Sequence, residues 1–383
     1  MNTNHLQQLF QNYIDNFEML NSPDHEEYYK WQVTKQFRPM MDAALDSSDD
    51  DFSAKLFEIR NITENLVDSY TQPFYGLCKF AEAEPKTVKD MLRTLFARSN
   101  GSMEERQSAI SEFLSKSHEL RDKYFPESFL YKDDMHSVTT YLFLYNPDCN
   151  YIFKSSNAQT FADCIEFYDD WGSGDTMKLD VYYRMCDQVV DAINEDEAIL
   201  KTDASRFENG WGVDPETFAL DTEKHILACD LIYCCSAYDL FSNISFTRLK
   251  SKEKQLLMEK KERAMTLFGE LKRAQEKLKL LEEALAYLDS VFVVGATVQH
   301  KKYGVGVIQN KTDSSIEIEF ADGEKKKLGT VFSVANGIIE SSYSDYDVKI
   351  RQYKEVLNKE SAIKRAVDYA ERAFEPYAEY LDK

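Results

Sequence analysis

The sequence predicts a mainly α, multidomain protein: a helical N-terminal domain with a small β element, then an antiparallel coiled-coil hairpin carrying a small β-barrel. Three observations predict it. Apolar residues recur at three- and four-residue steps through the first 245 positions, a heptad series runs through residues 257–288, and short β-branched stretches punctuated by glycine fill residues 293–341. Charge divides the chain at the same place. Of 67 acidic and 46 basic residues, 44 and 21 lie in residues 1–245, so that part carries a net −23 and the remainder +2. The expected domains are therefore residues 1–245, a coiled-coil helix over 246–292, the barrel over 293–343 and a returning helix over 344–383.

A hydrophobic content of 43%, with 13% aromatic residues, excludes global disorder. No run of about 18 apolar residues occurs, and the start (Met1-Asn2-Thr3-Asn4-His5-Leu6) lacks a basic segment followed by an apolar one. The expectation is a cytoplasmic protein without membrane association. The seven cysteines are scattered and form no CxxC pair, which points to reduced, buried thiols. A net charge of −21 opposes nonspecific nucleic-acid binding by the whole molecule.

In the first part, Leu6, Leu9, Phe10, Tyr13 and Phe17 mark an amphipathic helix. Asp49-Asp50-Asp51 opens another before Phe52, Leu56 and Ile59, and Glu84-Pro85 opens a third before Val88, Met91 and Leu92. Ser102-Met103-Glu104-Glu105 has the form of a capping box ahead of Ile110, Phe113 and Leu114. The run Val138–Tyr145 is β-branched and aromatic, stops at Asn146-Pro147-Asp148 and resumes at Tyr151-Ile152-Phe153. It reads either as a hairpin or as a helix end followed by a short strand. Candidate chemistry is sparse. Asp133, Asp134, His136 and Cys149 form one sequence cluster, and Asp221, Glu223, His225 and Cys229 another. Because Cys229, Cys234 and Cys235 fall in an apolar run, a structural role is expected for both clusters. Asp169, Asp170 and Asp175 lack the ligand spacing and terminal glutamate of a calcium loop and read as a solvated loop. No catalytic residue, metal site or cofactor is expected, and an enzyme of unrecognised type is the weakest reading.

Tyr29-Lys30-Trp31 with Phe37, Phe80-Ala81-Glu82, Met91 to Phe96, and Tyr141 to Ser155 resemble the N-terminal region of McrB-like restriction ATPases over roughly residues 25–245. In that family the region precedes a nucleotide-hydrolysing AAA+ motor and is thought to recognise DNA or a partner subunit. No GxxxxGK[ST] phosphate loop occurs in this chain. The resemblance therefore implies a recognition or accessory subunit of a restriction or defence complex, dependent on a protein partner.

In the second part, Leu257, Ala264, Leu271, Leu278 and Leu285 are spaced by seven, and Leu267, Ala274, Leu281 and Leu288 take the matching positions. A second series follows: Val356, Ile363, Ala370 and Tyr377 with Tyr353, Val367, Phe374 and Leu381, interrupted by Glu360. Two seams flanking an insert fit an antiparallel helical pair, with homodimerisation through the first seam as the rival. The insert reads as Thr297–His300, Lys301–Gly304, Val305–Ile308, Ile316–Phe320, an Ala321-Asp322-Gly323 turn and Lys325–Leu328. Five short strands in so few residues bury their edges by curling into a barrel of SH3 or Tudor type, with Gly304 and Gly306 at bulges or tight bends.

The text Val294 to Ile308, Ile316 to Gly323 and Lys325 to Leu328 resembles the Tudor-like C-terminal module of UvrD/PcrA-type helicases and, more loosely, the polymerase-binding module of CarD-like factors. The resemblance implies docking on RNA polymerase or near nucleic acid. His300, Lys301, Lys302, Tyr303, Lys325, Lys326 and Lys327 form the dense basic and aromatic cluster of the chain, and strand pairing would bring both halves to one rim. Nucleic acid is expected to bind through this module alone, or an acidic partner in its place; otherwise the lysines keep the edges of a small barrel soluble.

Overall fold

A computed structural model describes residues 1–68, 70–209 and 213–381. It is mainly helical, with one antiparallel five-stranded sheet among the described residues. Its contacts divide it into two units, Met1–Gln255 and Leu256–Lys383.

The first unit consists of helices α1 (Thr3–Asp15), α2 (Phe17–Leu20), α3 (Tyr29–Leu45), α4 (Asp49–Val67), α5 (Pro73–Ala83), α6 (Pro85–Ala97), α7 (Met103–Tyr124), α8 (Met135–Tyr145), α9 (Ser155–Cys164), α10 (Leu179–Glu195), α11 (Glu197–Asn209) and α12 (His225–Ala237). The start signals act as their chemistry demands. Ser48 caps α4 by accepting the Asp51 N–H, three aspartates occupy the positive end of that helix, and Pro85 stands at the start of α6. Ser102 and Glu105 form the reciprocal capping box of α7. One continuous core joins these helices from Leu6 to Phe241.

The β element expected near residues 138–153 is not there. Asp134 and Ser137 form a second capping box and open α8, whose residues from Ser137 through Leu144 are all buried. A helix buried on every face carries no amphipathic period, which is why hairpin and helix end could not be told apart from the run; the helix end forms, and no strand follows it. Asn146-Pro147 ends it. Tyr151–Lys154 then runs without helix or strand pairing, and side chains satisfy its amides: Cys229 Sγ accepts from Ile152 N at 3.3 Å and Thr139 Oγ1 from Phe153 N at 3.0 Å.

The helix α13 spans Ser251–Val291, and the second unit begins within it. There follow β1 (Thr297–His300), β2 (Gly304–Lys311), β3 (Ser315–Phe320), β4 (Lys325–Gly329), α14 (Thr330–Ala335), β5 (Ile339–Ser341), α15 (Tyr346–Asn358) and α16 (Glu360–Phe374). The sheet order is β4-β3-β2-β1-β5, antiparallel throughout. Ile316, Ile318 and Phe320 alternate into the core, as their period of two requires. Lys301 to Tyr303 form the turn between β1 and β2, and Gly304 supplies its positive φ of 77°. The irregularity of β2 lies at Ile308–Asn310 rather than at either glycine. Helix α14 and strand β5 arise from residues to which periodicity assigned no element.

Within the second unit, Tyr287 meets Tyr353 at 6.0 Å between ring centroids, Phe268 meets Phe374 at 5.4 Å, and Lys260 Nζ donates to Tyr380 Oη at 3.0 Å. These pairs step backwards along α13 as they step forwards through α15 and α16, so the segments run in opposite directions. The returning segment is broken rather than continuous. Asn358 ends α15 and Glu360, the residue that interrupts the second heptad series, opens α16, where a carboxylate suits the positive helix end and pairs with Lys364 at 2.7 Å.

Candidate functional site

His300 closes β1 with its ring buried, and its Nδ1 accepts from the amides of Lys302 at 3.0 Å and Tyr303 at 3.1 Å. Two donors aimed at Nδ1 place the ring proton on Nε2. Burial, and then the charge of Lys302, lower its pKa, so it stays neutral and shapes the turn. The Tyr303 ring packs on His300 at 4.8 Å and on Phe320 at 5.4 Å. The Lys302 and Lys326 ammonium groups each lie 5.2 Å from its centroid, within cation–π range. Lys326 also pairs with Glu324 at 2.8 Å, an exposed contact of about 0–1 kcal/mol that a stronger anion can displace.

The cluster does not gather entirely on one face. Lys326 stands opposite Ile318 in the β3–β4 register, whereas Lys325 and Lys327 stand opposite Glu319 and Glu317. Alternation along β4 therefore puts Lys325 and Lys327 on the other face from Lys326, and Lys325 Nζ lies 3.7 Å from Glu319. Lys301 and Lys302 are exposed at the turn. The structure thus assembles Lys302, Tyr303 and Lys326 over a buried His300, and sends Lys325 and Lys327 to the other face of β4.

In the first unit, the clusters singled out from sequence serve packing. His225 stacks on Tyr151 at 4.1 Å and its Nδ1 lies 3.2 Å from the Asn150 carbonyl, while the Cys229 thiol, pushed up to about 12 by burial, accepts from the backbone. Asp221 accepts the amides of Ile226 and Leu227 at the start of α12. Asp133 accepts hydroxyl hydrogen bonds from Ser117, Ser137 and Tyr141. In the 169–175 loop, Asp169 pairs with Arg184 at 2.7 Å and Asp170 accepts from Gly172 N at 2.9 Å.

Burial pushes the carboxyls of both Asp133 and Asp221 up to about 6, against the hydrogen bonds each accepts. From about pH 4 to pH 6 the folded protein therefore holds protons that the unfolded chain has released. Unfolding free energy falls as pH rises through that window, by roughly 3 kcal/mol per group at most. Replacing Asp133 with Asn removes its share of this slope in denaturant unfolding across pH 4–7. An unchanged slope would contradict the assignment.

Sequence reasoning missed the densest charge network of the first unit. The Lys30 ammonium pairs with Asp230 and, at 2.6 Å, with Glu27, and lies 4.1 Å from the Tyr233 ring centroid. The other Asp230 oxygen accepts from Tyr13 at 2.5 Å; Arg206 donates to Tyr13 Oη at 3.0 Å and to Asn21 at 2.6 Å, with its guanidinium 3.6 Å from the Trp31 ring centroid. Glu27, Asp230 and Cys234 hold potential ligand atoms within 4.8 Å of one another, but the cationic place among them is taken by Lys30. Burial alone would raise the Asp230 pKa; Lys30 and Arg206 outweigh it and hold the carboxyl below its ordinary value. The available signal was Asp230 itself, the one charged residue between Ile226 and Tyr238.

No family model matches the chain, and neither the curated proteins nor the solved structures give a match. No described helix is long and apolar enough to cross a membrane.

Proposed function

We propose that this chain is a non-enzymatic interaction protein, an accessory or recognition subunit of a nucleic-acid-processing or restriction/defence complex, with residues 293–343 as an SH3/Tudor-like barrel that supplies the contact. The observation that carries this reading is the Tyr303 ring with Lys302 and Lys326 against it. An aromatic face between two ammonium groups suits a phosphate backbone with an adjoining base or sugar, while His300 keeps the turn rigid without spending charge. The sheet order β4-β3-β2-β1-β5, with a short helix leading into β5, supports the barrel reading. The opposed contacts of α13 with α15 and α16 support a coiled-coil hairpin.

The McrB-like text of residues 25–245 favours a partner that supplies a motor, and the CarD-like text favours RNA polymerase as the surface approached. The test is a titration of the full chain with a short DNA duplex at several salt concentrations. Replacing Lys301, Lys302 and Lys326 with Ala should weaken binding at least tenfold and lower the slope of log K against log salt by about one for each phosphate no longer neutralised. Replacing Lys325 and Lys327 should change it little. Absence of binding at low salt removes the nucleic-acid reading and leaves an acidic protein as the partner class.

A further inference from the structure

A second concavity lies in the first unit, remote in sequence from the basic turn of the sheet. Two cavities share Lys154, Asn157 and Tyr233: an inner one of about 40 Å³ lined also by Lys30 and His136, and an open cleft of about 490 Å³ to which Ser156, Thr160, Ser236 and Arg248 contribute. The inner volume admits water, whereas the cleft accommodates a small organic molecule.

Two cations line the cleft. Lys154 is half-buried with its ammonium 5.0 Å from the Tyr233 ring centroid, and among the described residues no carboxylate lies within ion-pairing distance of it or of the exposed Arg248. Elsewhere in this unit the buried cations are matched: Lys30 with Asp230 and Glu27, Arg206 with Asp203, Lys89 with Asp49. Lys154 is instead the N-cap of α9 and offers that helix no side-chain acceptor, so the first-turn amides at Ser155, Ser156 and Asn157 have no cap. On the facing helix α12, the Ser236 hydroxyl oxygen is withdrawn from solvent and has no hydrogen-bond partner. Asp239 is the one carboxylate of the lining, against two cations. Burial, and then the neighbouring Lys30, lower the Lys154 pKa against the opposing pull of Glu27. Met1–Gln255 holds 45 acidic against 25 basic residues, a net −20, so two cations without an ion pair stand against the charge of their unit.

We propose that this cleft binds the phosphate group of a small molecule. Lys154 supplies a point charge, Arg248 a planar fork that can grip two oxygens, the α9 amides a positive helix end, and Ser236 a hydroxyl with no partner in the protein. That donor set exceeds the two oxygens of a carboxylate and matches the three or four of a phosphate. The phosphate sits at Lys154, and the rest of the ligand extends outward past Tyr233 and Phe241.

The same donors would hold free phosphate or a phosphate monoester, and calorimetric titrations of the full chain at constant ionic strength separate the two. One arm uses inorganic phosphate and the other glycerol 3-phosphate, each against a chloride control. A monoester site predicts saturable binding of glycerol 3-phosphate at least tenfold tighter than inorganic phosphate; equal affinities assign the site to free phosphate. In either case Arg248→Gln and Lys154→Gln should each weaken binding about tenfold or more. Arg248 is exposed, so its variant keeps the fold and remains informative if Lys154→Gln does not. Saturable binding by neither ligand, or wild-type affinity in Arg248→Gln, would overturn the proposal.

Discussion

Replacing Asp230 with Ala is expected to destabilise the first unit by about 3–5 kcal/mol, enough to unfold much of it at ambient temperature. The loss does not measure the attraction of one ion pair. It follows from what remains: Lys30 and Arg206 are both buried, and without Asp230 the paired carboxylate left to the first is Glu27 and to the second Asp203. Tyr13 Oη also loses its acceptor. A paired apolar replacement, Lys30→Met with Asp230→Leu, removes the orphaned ammonium and should recover a substantial part of the loss. Denaturant unfolding of the two single variants and the double variant at pH 7 provides the comparison. A cost below about 1 kcal/mol for Asp230→Ala would show that the network does not hold this part of the fold.

Gly306→Ala is expected to cost the second unit about 1–3 kcal/mol and to weaken the proposed contact at a distance. A Cβ at position 306 would lie 2.4 Å from Ile318 Cγ2 and 2.8 Å from Phe320 Cδ1. Both are core side chains and cannot swing into solvent. Phe320 in turn supports the Tyr303 and His300 rings, so its displacement moves the surface that Lys302 and Lys326 flank. Gly304 offers the contrast: its Cβ would meet nothing within 4 Å, and only its positive φ opposes a side chain. Thermal unfolding should therefore rank Gly306→Ala below Gly304→Asn, since asparagine tolerates that backbone conformation. The reverse order would contradict the packing role of Gly306.

Local chemistry made much of this fold legible. Asp49-Asp50-Asp51, Pro85 and Ser102 announced their helices because helix starts are settled within a few residues, and the alternation of Ile316, Ile318 and Phe320 announced β3. Val138–Leu144 left hairpin and helix end both open because burial on every face erases the period from which helix and strand are told apart. Glu360 was visible as an interruption in a heptad series, but the series alone could not show that the chain would end one helix there and begin another. The site shows the same division. Lys301 to Tyr303 and Lys325 to Lys327 stood out by composition, yet the strand register decided that Lys326 joins Tyr303 while Lys325 and Lys327 fall on the other face of β4. Lys30, Asp230 and Arg206 meet from three helices far apart in sequence, so no spacing rule could have joined them.

The proposed contact with an acidic partner falls at the turn around Tyr303, and mapping backbone amide shifts of the full chain during titration with a DNA duplex tests it most directly. The expected result is a set of shifts concentrated at residues 300–303 and 325–328 that fade as salt is raised. Shifts confined to residues 1–255, with the turn unmoved, would contradict it.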